Sequence, residues 1–253
     1  MLKSAQEIIK GGWELYAKNW RKFVPFLILL ILPTLILSAL GVISLYLDVY
    51  LPESSFISNM IILAIFVASL LFTFWTSIAL LRALAMAANN QPFDWKNLFS
   101  TSSSLIWPIL WTSFLVSMIV LAGGLLLIVP GIIFAIWYNF TIYTVVFENT
   151  RGLNAMRASK ALVVGRWWDL FWRWTAQGLV FIFLNFALSY AVTFLIRLIP
   201  MPLILEATLL RVSSVTVSAI LTPLMAGTAY VLYQSAKQNP VTLPASTTPP
   251  TQS

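Results

Sequence analysis

The stretch that decides the fold is residues 97–147, which read NLFSTSSSLIWPILWTSFLVSMIVLAGGLLLIVPGIIFAIWYNFTIYTVVF and contain no Lys, Arg, Asp or Glu. A bilayer core of about 30 Å is crossed by roughly 20 apolar residues in helical conformation. These 51 residues therefore predict two membrane-spanning helices. Pro130 and Gly131 follow the small pair Gly123 and Gly124, and they place a tight hairpin between the two helices.

Four further uncharged runs flank this stretch, and each has the length of one span. The chain as a whole is 60% hydrophobic and 9% charged, against about 25% charged in an ordinary soluble domain. A soluble fold of this composition would leave its apolar surface in water. We therefore expect an all-α polytopic membrane protein with six transmembrane helices, at about 23–47, 57–81, 105–128, 131–147, 174–196 and 212–236.

The basic residues lie almost entirely at one end of the predicted bundle. If the N-terminus is cytoplasmic, Arg197 and Arg211 are the two of the 15 Lys and Arg residues that lie outside. Loops rich in Lys and Arg stay in the cytoplasm. We expect a bacterial cytoplasmic-membrane protein with both termini inside and external loops at 48–56 and 198–210. The net charge of +7 indicates contact with anionic lipid headgroups, and we expect no nucleic-acid partner.

The two ends of the chain are more polar than the rest. Residues 1–22 predict an amphipathic helix on the cytoplasmic membrane surface, and Ser4 and Glu7 form a capping-box pattern at its start. Residues 239–253, rich in Pro, Thr and Ser, predict a disordered cytoplasmic tail. No short apolar segment with a small-residue cleavage site precedes the first run, so we expect the first helix to be retained.

The surface segment at the N-terminus has two weaker counterparts. Trp20 aligns with Trp167, and both segments lead into an outward-going helix, while a shorter segment begins at Phe93. We therefore predict three helical hairpins, each preceded by a cytoplasmic interfacial amphipathic segment.

A family resemblance is carried by residues 128–173, which read IVPGIIFAIWYNFTIYTVVFENTRGLNAMRASKALVVGRWWDLFWR. The stretch resembles the glycerophosphoryl diester phosphodiesterase membrane-domain family and the related YciC-like bacterial inner-membrane proteins. The resemblance implies a polytopic helical domain. It does not extend to a catalytic barrel, which needs about 250 residues by itself. The motif residues are Pro130 and Gly131 at the start of a helix, Glu148 at the end of one, and Ala155, Ser159, Leu162 and Gly165 in the basic segment that follows.

The groups that catalysis requires are scarce. The chain has no His and no Cys, so the commonest general base and the thiolate metal ligands are absent from the sequence. The eight carboxylates show no clustered spacing typical of a metal site. We expect no enzymatic activity and no cofactor.

Two functions remain open at this point. The preferred one is a membrane scaffold or accessory module that contacts membrane lipids and acts with a membrane-protein partner or as a homo-oligomer. The alternative is a small transporter or lipid-handling facilitator for a neutral or amphipathic solute. Three polar residues lie inside the spans: Asn139, Gln177 and Asn185. We expect their side chains to form hydrogen bonds between helices. A water-lined cavity reaching mid-membrane past Asn139 or Asn185 would favour transport, and a solid bundle would favour the scaffold.

The best candidate site consists of Glu148 and the basic residues that follow it, Arg151, Arg157, Lys160 and Arg166. Glu148 ends a span and would be partly desolvated, so a nearby cation would stabilise its ionised form. The preferred role is a structural clamp that docks the basic segment against the bundle, with Glu148 coupled to Arg157 or Arg166. The other role is a basic pocket for a lipid phosphate.

Overall fold

The computed structural model describes residues 2–51 and 55–240, and every regular element in these ranges is an α-helix. Six segments of the described chain are long and apolar enough to cross a membrane, which confirms the predicted all-α class and the number of spans. The predicted tail lies outside the described residues from position 241 onwards, as do residues 52–54 of the predicted external loop. The helices are α1 (Ala5–Tyr50), α2 (Ser55–Ala88), α3 (Trp95–Ser103), α4 (Ile106–Leu126), α5 (Ile128–Trp137), α6 (Thr141–Glu148), α7 (Gly152–Val163), α8 (Trp167–Arg197) and α9 (Leu203–Gln238).

The first helix differs from its prediction. Residues 5–22 do not form a separate helix, because α1 continues without a break into the first span. Its start is the predicted capping box: Ser4 Oγ accepts the Glu7 N–H at 3.3 Å, and Glu7 Oε2 accepts the Ser4 N–H at 2.7 Å. With 46 residues, α1 is about 69 Å long, more than twice the bilayer core. Its first half therefore lies beyond the lipid.

This first half is held by α9 at the other end of the chain. A Cβ atom on Gly12 would overlap Thr228 Cγ2 and lie 2.7 Å from the Thr228 backbone nitrogen. Because glycine permits this approach, α1 and α9 form the most extensive helix pair of the described chain. Ile8 and Phe23 of α1 are both buried within the bundle. The charges of α1 thus mark the exposed side of a packed helix.

Buried side chains concentrate at one end of the bundle. We call it the basic end; it carries the starts of α1 and α8, the ends of α2, α6 and α9, and the short helices α3 and α7. One cluster there surrounds Phe140 and Tyr233, and a second surrounds Phe26 and Leu84. Towards the opposite end, α2 exposes large apolar side chains from Phe56 onwards, which is the surface expected against lipid.

The chain reverses sharply between α4 and α5. The reversal occurs at Leu127, a single extended residue with φ −159° and ψ 144°, three residues before the predicted Pro130. A Cβ atom on Gly123 would lie 2.6 Å from Phe134 Cδ2, and one on Gly131 would lie 2.8 Å from Gly124 Cα. The glycines therefore allow the two helices to pack backbone against backbone.

The fourth span is divided, which the sequence prediction of a single run over 131–147 did not anticipate. The helix α5 ends at Trp137, a turn over 138–140 follows, and α6 begins at Thr141. This break lies near the middle of the span, and the candidate site is built around it.

Candidate functional site

The break in the fourth span frees backbone groups inside the bundle, where each needs a hydrogen-bond partner. Ser159, a fully buried residue of α7, supplies both partners. Its hydroxyl donates to the Trp137 carbonyl oxygen at 2.8 Å and accepts the Phe140 N–H at 3.1 Å. One side chain therefore satisfies a backbone group on each side of the break.

Further contacts fix α7 against the spans. The Thr144 hydroxyl lies 3.1 Å from the Ala155 carbonyl oxygen, to which it donates. The Lys160 Nζ atom lies 3.9 Å from the centroid of the Trp137 ring, within the range of a cation–π interaction. The predicted motif residues Ala155 and Ser159 are thus buried contacts of α7. The motif's Leu162 packs at the edge of the same core, and Gly165, with φ +85°, adopts a left-handed conformation that favours glycine after the helix.

A cavity of about 530 Å³ lies beside the break. It extends along α4 from Ile109 to Leu121, a distance of about 18 Å that passes the middle of the helix. Its wall combines the apolar residues expected of a membrane bundle with six polar ones. The lining residues are Ile109, Thr112, Ser113, Val116, Ser117, Val120, Leu121, Ala135, Tyr138, Asn139, Thr141, Ile142, Val145 and Trp174. We call this space the Asn139 cavity.

Two polar side chains of the break are available to a ligand in this cavity. The Thr141 Oγ1 atom is buried and has no hydrogen-bond partner among the described residues. The Asn139 side-chain amide likewise makes no hydrogen bond to the described part of the chain, although the backbone N–H of Asn139 donates to Ile136. A buried hydroxyl without a partner costs roughly 1–3 kcal/mol. A bound molecule with a hydrogen-bonding group would remove that cost.

The cavity is uncharged and faces the side of the bundle. No Lys, Arg, Asp or Glu is found among its lining residues in the described chain. Its rim includes Leu121 and Ile142, which are 62% and 42% exposed. On α4 the exposed residues Trp111, Phe114, Met118 and Leu121 recur every three or four positions, so they form one lipid-facing stripe. The cavity therefore opens laterally, towards the bilayer.

Glu148 contacts other residues than those the sequence suggested. Its Oε1 atom accepts the Tyr233 hydroxyl at 2.6 Å and lies 3.0 Å from the Lys237 Nζ. Both partners belong to α9, and neither Arg157 nor Arg166 forms an ion pair with Glu148 in the described structure. Glu148 therefore does not dock the basic segment as expected; its hydrogen bond and ion pair join the end of α6 to α9.

The four predicted basic residues do not converge on one pocket. Arg151 and Arg157 are exposed, and Lys160 lies over Trp137. Arg166 donates to the backbone carbonyls of Leu162, Ala236 and Asn239, so it ties the end of α7 to the end of α9. Partial burial lowers the pKa of the Arg166 guanidinium, while the negative charge of Asp169 raises it. This arrangement does not form the basic phosphate pocket that was the second expectation for these residues.

The other polar residues of the spans have separate roles. The Asn185 side chain of α8 donates to Ser218 Oγ of α9 at 3.0 Å, which is the hydrogen bond between helices that we expected. Gln177 is buried, and its Oε1 atom has no partner among the described residues. No group of three or more His, Cys, Asp or Glu residues that could hold a metal ion occurs in residues 2–51 and 55–240.

Comparisons of the chain with models of protein families, with curated proteins and with solved structures find no match. The family resemblance of residues 128–173 therefore rests on its motif residues, Pro130 to Gly165.

Several residues of the site were not identified from the sequence. Thr112, Ser113, Ser117 and Thr141 are ordinary polar residues of membrane helices, and their spacing does not show that they face a common space. Tyr233 and Lys237 lie 85 and 89 positions after Glu148, so only the packing of α9 brings them together.

Proposed function

We propose that this multi-pass membrane protein binds a neutral amphipathic molecule, a lipid or a lipid-like solute, in the Asn139 cavity. The observation that carries the proposal is a space of about 530 Å³ that passes mid-span and contains the unpartnered Thr141 hydroxyl. The cavity passes Asn139 but opens towards the bilayer, so it supports binding of a lipid-like molecule and not the water-lined path expected of a transporter.

The size and the chemistry of the cavity define the class of ligand. Its volume falls within the range of roughly 300–1,000 Å³ that is typical of small-molecule sites. A charged group would enter an apolar space without a counter-ion, which is costly inside a membrane. The Asn139 amide and the Thr141 hydroxyl each donate and accept hydrogen bonds. A neutral hydroxyl, ester or amide group attached to an apolar chain fits these properties.

The basic end of the bundle is proposed to face the cytoplasm of a bacterial cell, with both termini inside. Support comes from the distribution of the Lys and Arg residues. Only two of the 15, Arg197 and Arg211, lie towards the end of the bundle opposite the basic end. The native sequence contains no Cys, so a single cysteine is easily introduced at position 240. In intact cells we expect an impermeant maleimide to leave it unlabelled until the membrane is opened. Labelling of intact cells would contradict the orientation.

The proposed role is not catalytic. The sequence has no His and no Cys, and this supports binding or transfer of a molecule over its chemical conversion. We therefore expect purified protein not to hydrolyse glycerophosphodiesters, even if the resemblance to the phosphodiesterase membrane-domain family reflects a shared origin. The role as a scaffold, through lipid contacts or a protein partner, stays a prediction from the sequence.

The cavity can be tested by photo-crosslinking of the full chain in phosphatidylcholine nanodiscs. The probe is a monoacylglycerol with a diazirine on its acyl chain. We expect the modified peptides to come from α4, α5 and α6. Asn139→Leu keeps the branched shape of the side chain but replaces its amide by two methyl groups, and the loss of about 1.5 kcal/mol of hydrogen bonding corresponds to about tenfold weaker binding.

The matched control is Asn185→Leu, because Asn185 is also an intramembrane asparagine but bonds to Ser218 of α9. This variant should retain the labelling of the original chain. Equal labelling in both variants, or labelling spread evenly over the lipid-facing helices, would contradict binding in the Asn139 cavity.

A further inference from the structure

A second cavity, of about 330 Å³, lies at the basic end and is independent of the Asn139 cavity. The end of α2, the helix α3 and the end of α6 enclose it. Its floor is apolar, with Leu98, Val146 and Phe147, whereas its remaining wall is rich in polar side chains. These polar lining residues are Arg82, Asn89, Gln91, Asp94, Asn97 and Thr101.

Arg82 is the notable member of this wall. It is only partly exposed, yet within the described residues it forms no ion pair and no side-chain hydrogen bond. The carboxylate in the same wall, Asp94, is no closer than the 4 Å limit of an ion pair. It instead caps the start of α3 by accepting the Asn97 N–H at 3.4 Å. A guanidinium at a partly buried position without a counter-ion is a site for an external anion.

The neighbouring amides add donors around the same space. The side-chain amides of Gln91 and Asn97 make no hydrogen bond to residues 2–51 or 55–240. Together with Arg82 they place three separate donor groups around one cavity. A carboxylate and a phosphate could each accept hydrogen bonds from all three groups, since even the two carboxylate oxygens offer about four acceptor positions. The level of the cavity in the membrane favours phosphate.

The position of the cavity agrees with this chemistry. With 34 residues, α2 is about 51 Å long and so extends well beyond a bilayer core of about 30 Å. Arg82 lies six residues before the end of α2, close to the level where lipid headgroups meet water. A phosphate could thus arrive from the lipid or from the aqueous phase.

We propose that Arg82, with Gln91 and Asn97, forms a phosphate-binding site at the basic end of the bundle. The ligand is a molecule with an exposed phosphate group, either a phospholipid headgroup or a soluble phosphate compound. This site shares no residue with the Asn139 cavity, and its existence does not depend on the proposed function.

The test is calorimetric titration of the full chain in dodecyl maltoside micelles at constant ionic strength. One arm uses inorganic phosphate, and the other uses a short-chain phosphatidic acid in the micelles. We expect Arg82→Gln to weaken binding by about tenfold to a hundredfold, because it removes a charge-assisted contact. The control is Arg157→Gln, which removes an exposed arginine outside this cavity and should leave the affinity unchanged.

A second variant acts in the opposite direction and keeps the proposal testable if Arg82→Gln does not fold. Asp94→Asn removes the negative charge from the wall, and asparagine is an equally good N-cap residue for α3. We expect it to tighten phosphate binding severalfold. Binding of phosphatidic acid alone would identify a headgroup site, and binding of inorganic phosphate would identify a site for soluble compounds. Absence of binding in both arms, or affinities that neither Arg82→Gln nor Asp94→Asn changes, would overturn the proposal.

Discussion

The break in the fourth span depends on one hydroxyl group, and Ser159→Ala tests this dependence. The substitution removes the acceptor of the Phe140 N–H at 3.1 Å and the donor to the Trp137 carbonyl at 2.8 Å. It changes little else, because alanine fits the fully buried position without a new contact. Two backbone groups inside the bundle would then lose their side-chain partner.

The size of the effect follows from two bounds. A buried group left unsatisfied costs roughly 1–3 kcal/mol, so two groups without relaxation would cost about 2–6 kcal/mol. Side-chain hydrogen bonds in a membrane bundle average only about 0.6 kcal/mol and reach about 1.7 kcal/mol, because the unfolded segments also find partners. We expect the free energy of unfolding to fall by about 1–3 kcal/mol. The loss should be local to α7 and the break.

The assay is reversible unfolding in mixed dodecyl maltoside and SDS micelles, followed by tryptophan fluorescence. Hydrogen exchange of a peptide covering residues 138–144 provides a local measure, since opening of the break becomes easier. The matched control is Ser77→Ala on α2. The Ser77 hydroxyl donates to the Thr73 carbonyl of its own helix at 2.8 Å and is exposed, so its loss should change stability by less than about 0.5 kcal/mol. Equal stability and equal exchange in the two variants would refute the role of Ser159.

Two further predictions concern the helix pairs that involve α9. In double-mutant cycles, Glu148→Ala and Tyr233→Phe should show a coupling of about 1 kcal/mol, because each removes their partly buried hydrogen bond. Glu148→Ala with Arg157→Gln should be additive within about 0.3 kcal/mol. Coupling to Arg157 would instead restore the pairing expected from the sequence. Gly12→Ala should lower the unfolding free energy by about 1–3 kcal/mol, since its Cβ would overlap α9, whereas Gly41→Ala, with open space around it, should not destabilise the helix. Thermal unfolding in detergent measures both, and equal effects of the two glycine substitutions would contradict the close approach.

The spans could be predicted from the sequence because composition alone determines them. A run without charges and of bilayer length has few alternatives to a transmembrane helix. The predicted third span, 105–128, agrees with α4 within two residues at each end. The capping box at Ser4 was also predictable, because its two hydrogen bonds form between residues three positions apart.

The partners of residues across the bundle could not be predicted in this way. A pattern of charges every three or four residues occurs both in helices that lie on a membrane surface and in helices that pack against another helix. The pattern therefore does not show that the first half of α1 packs against α9. Gly12 was the available signal for packing, but its partner Thr228 lies more than 200 positions away. The cationic partner of Glu148 was expected among Arg157 and Arg166, nearby in sequence, whereas the structure pairs Glu148 with Lys237 of α9.

The break itself had no signal of the usual kind. Residues 138–140 are Tyr, Asn and Phe, without a Pro or Gly to end a helix. What permits the break is Ser159, which lies on another helix and is one of many serines in the chain. A helix interruption that depends on a tertiary hydrogen bond is invisible to local sequence rules, which count propensities within one segment.

The Asn139 cavity and the docking of α7 share structural elements, and this has a thermodynamic consequence. The turn over 138–140 presents Asn139 to the cavity, while the Phe140 N–H is held by α7 through Ser159. Thr112 also serves both, since it lines the cavity and its Oγ1 accepts the Gly152 N–H at 3.0 Å, at the start of α7. A ligand that favours the broken conformation of the span must therefore also favour docked α7, and docked α7 must favour the ligand by the same factor. In the proposed function, a change that loosens α7 on the basic end should weaken binding deep in the membrane without touching the cavity wall.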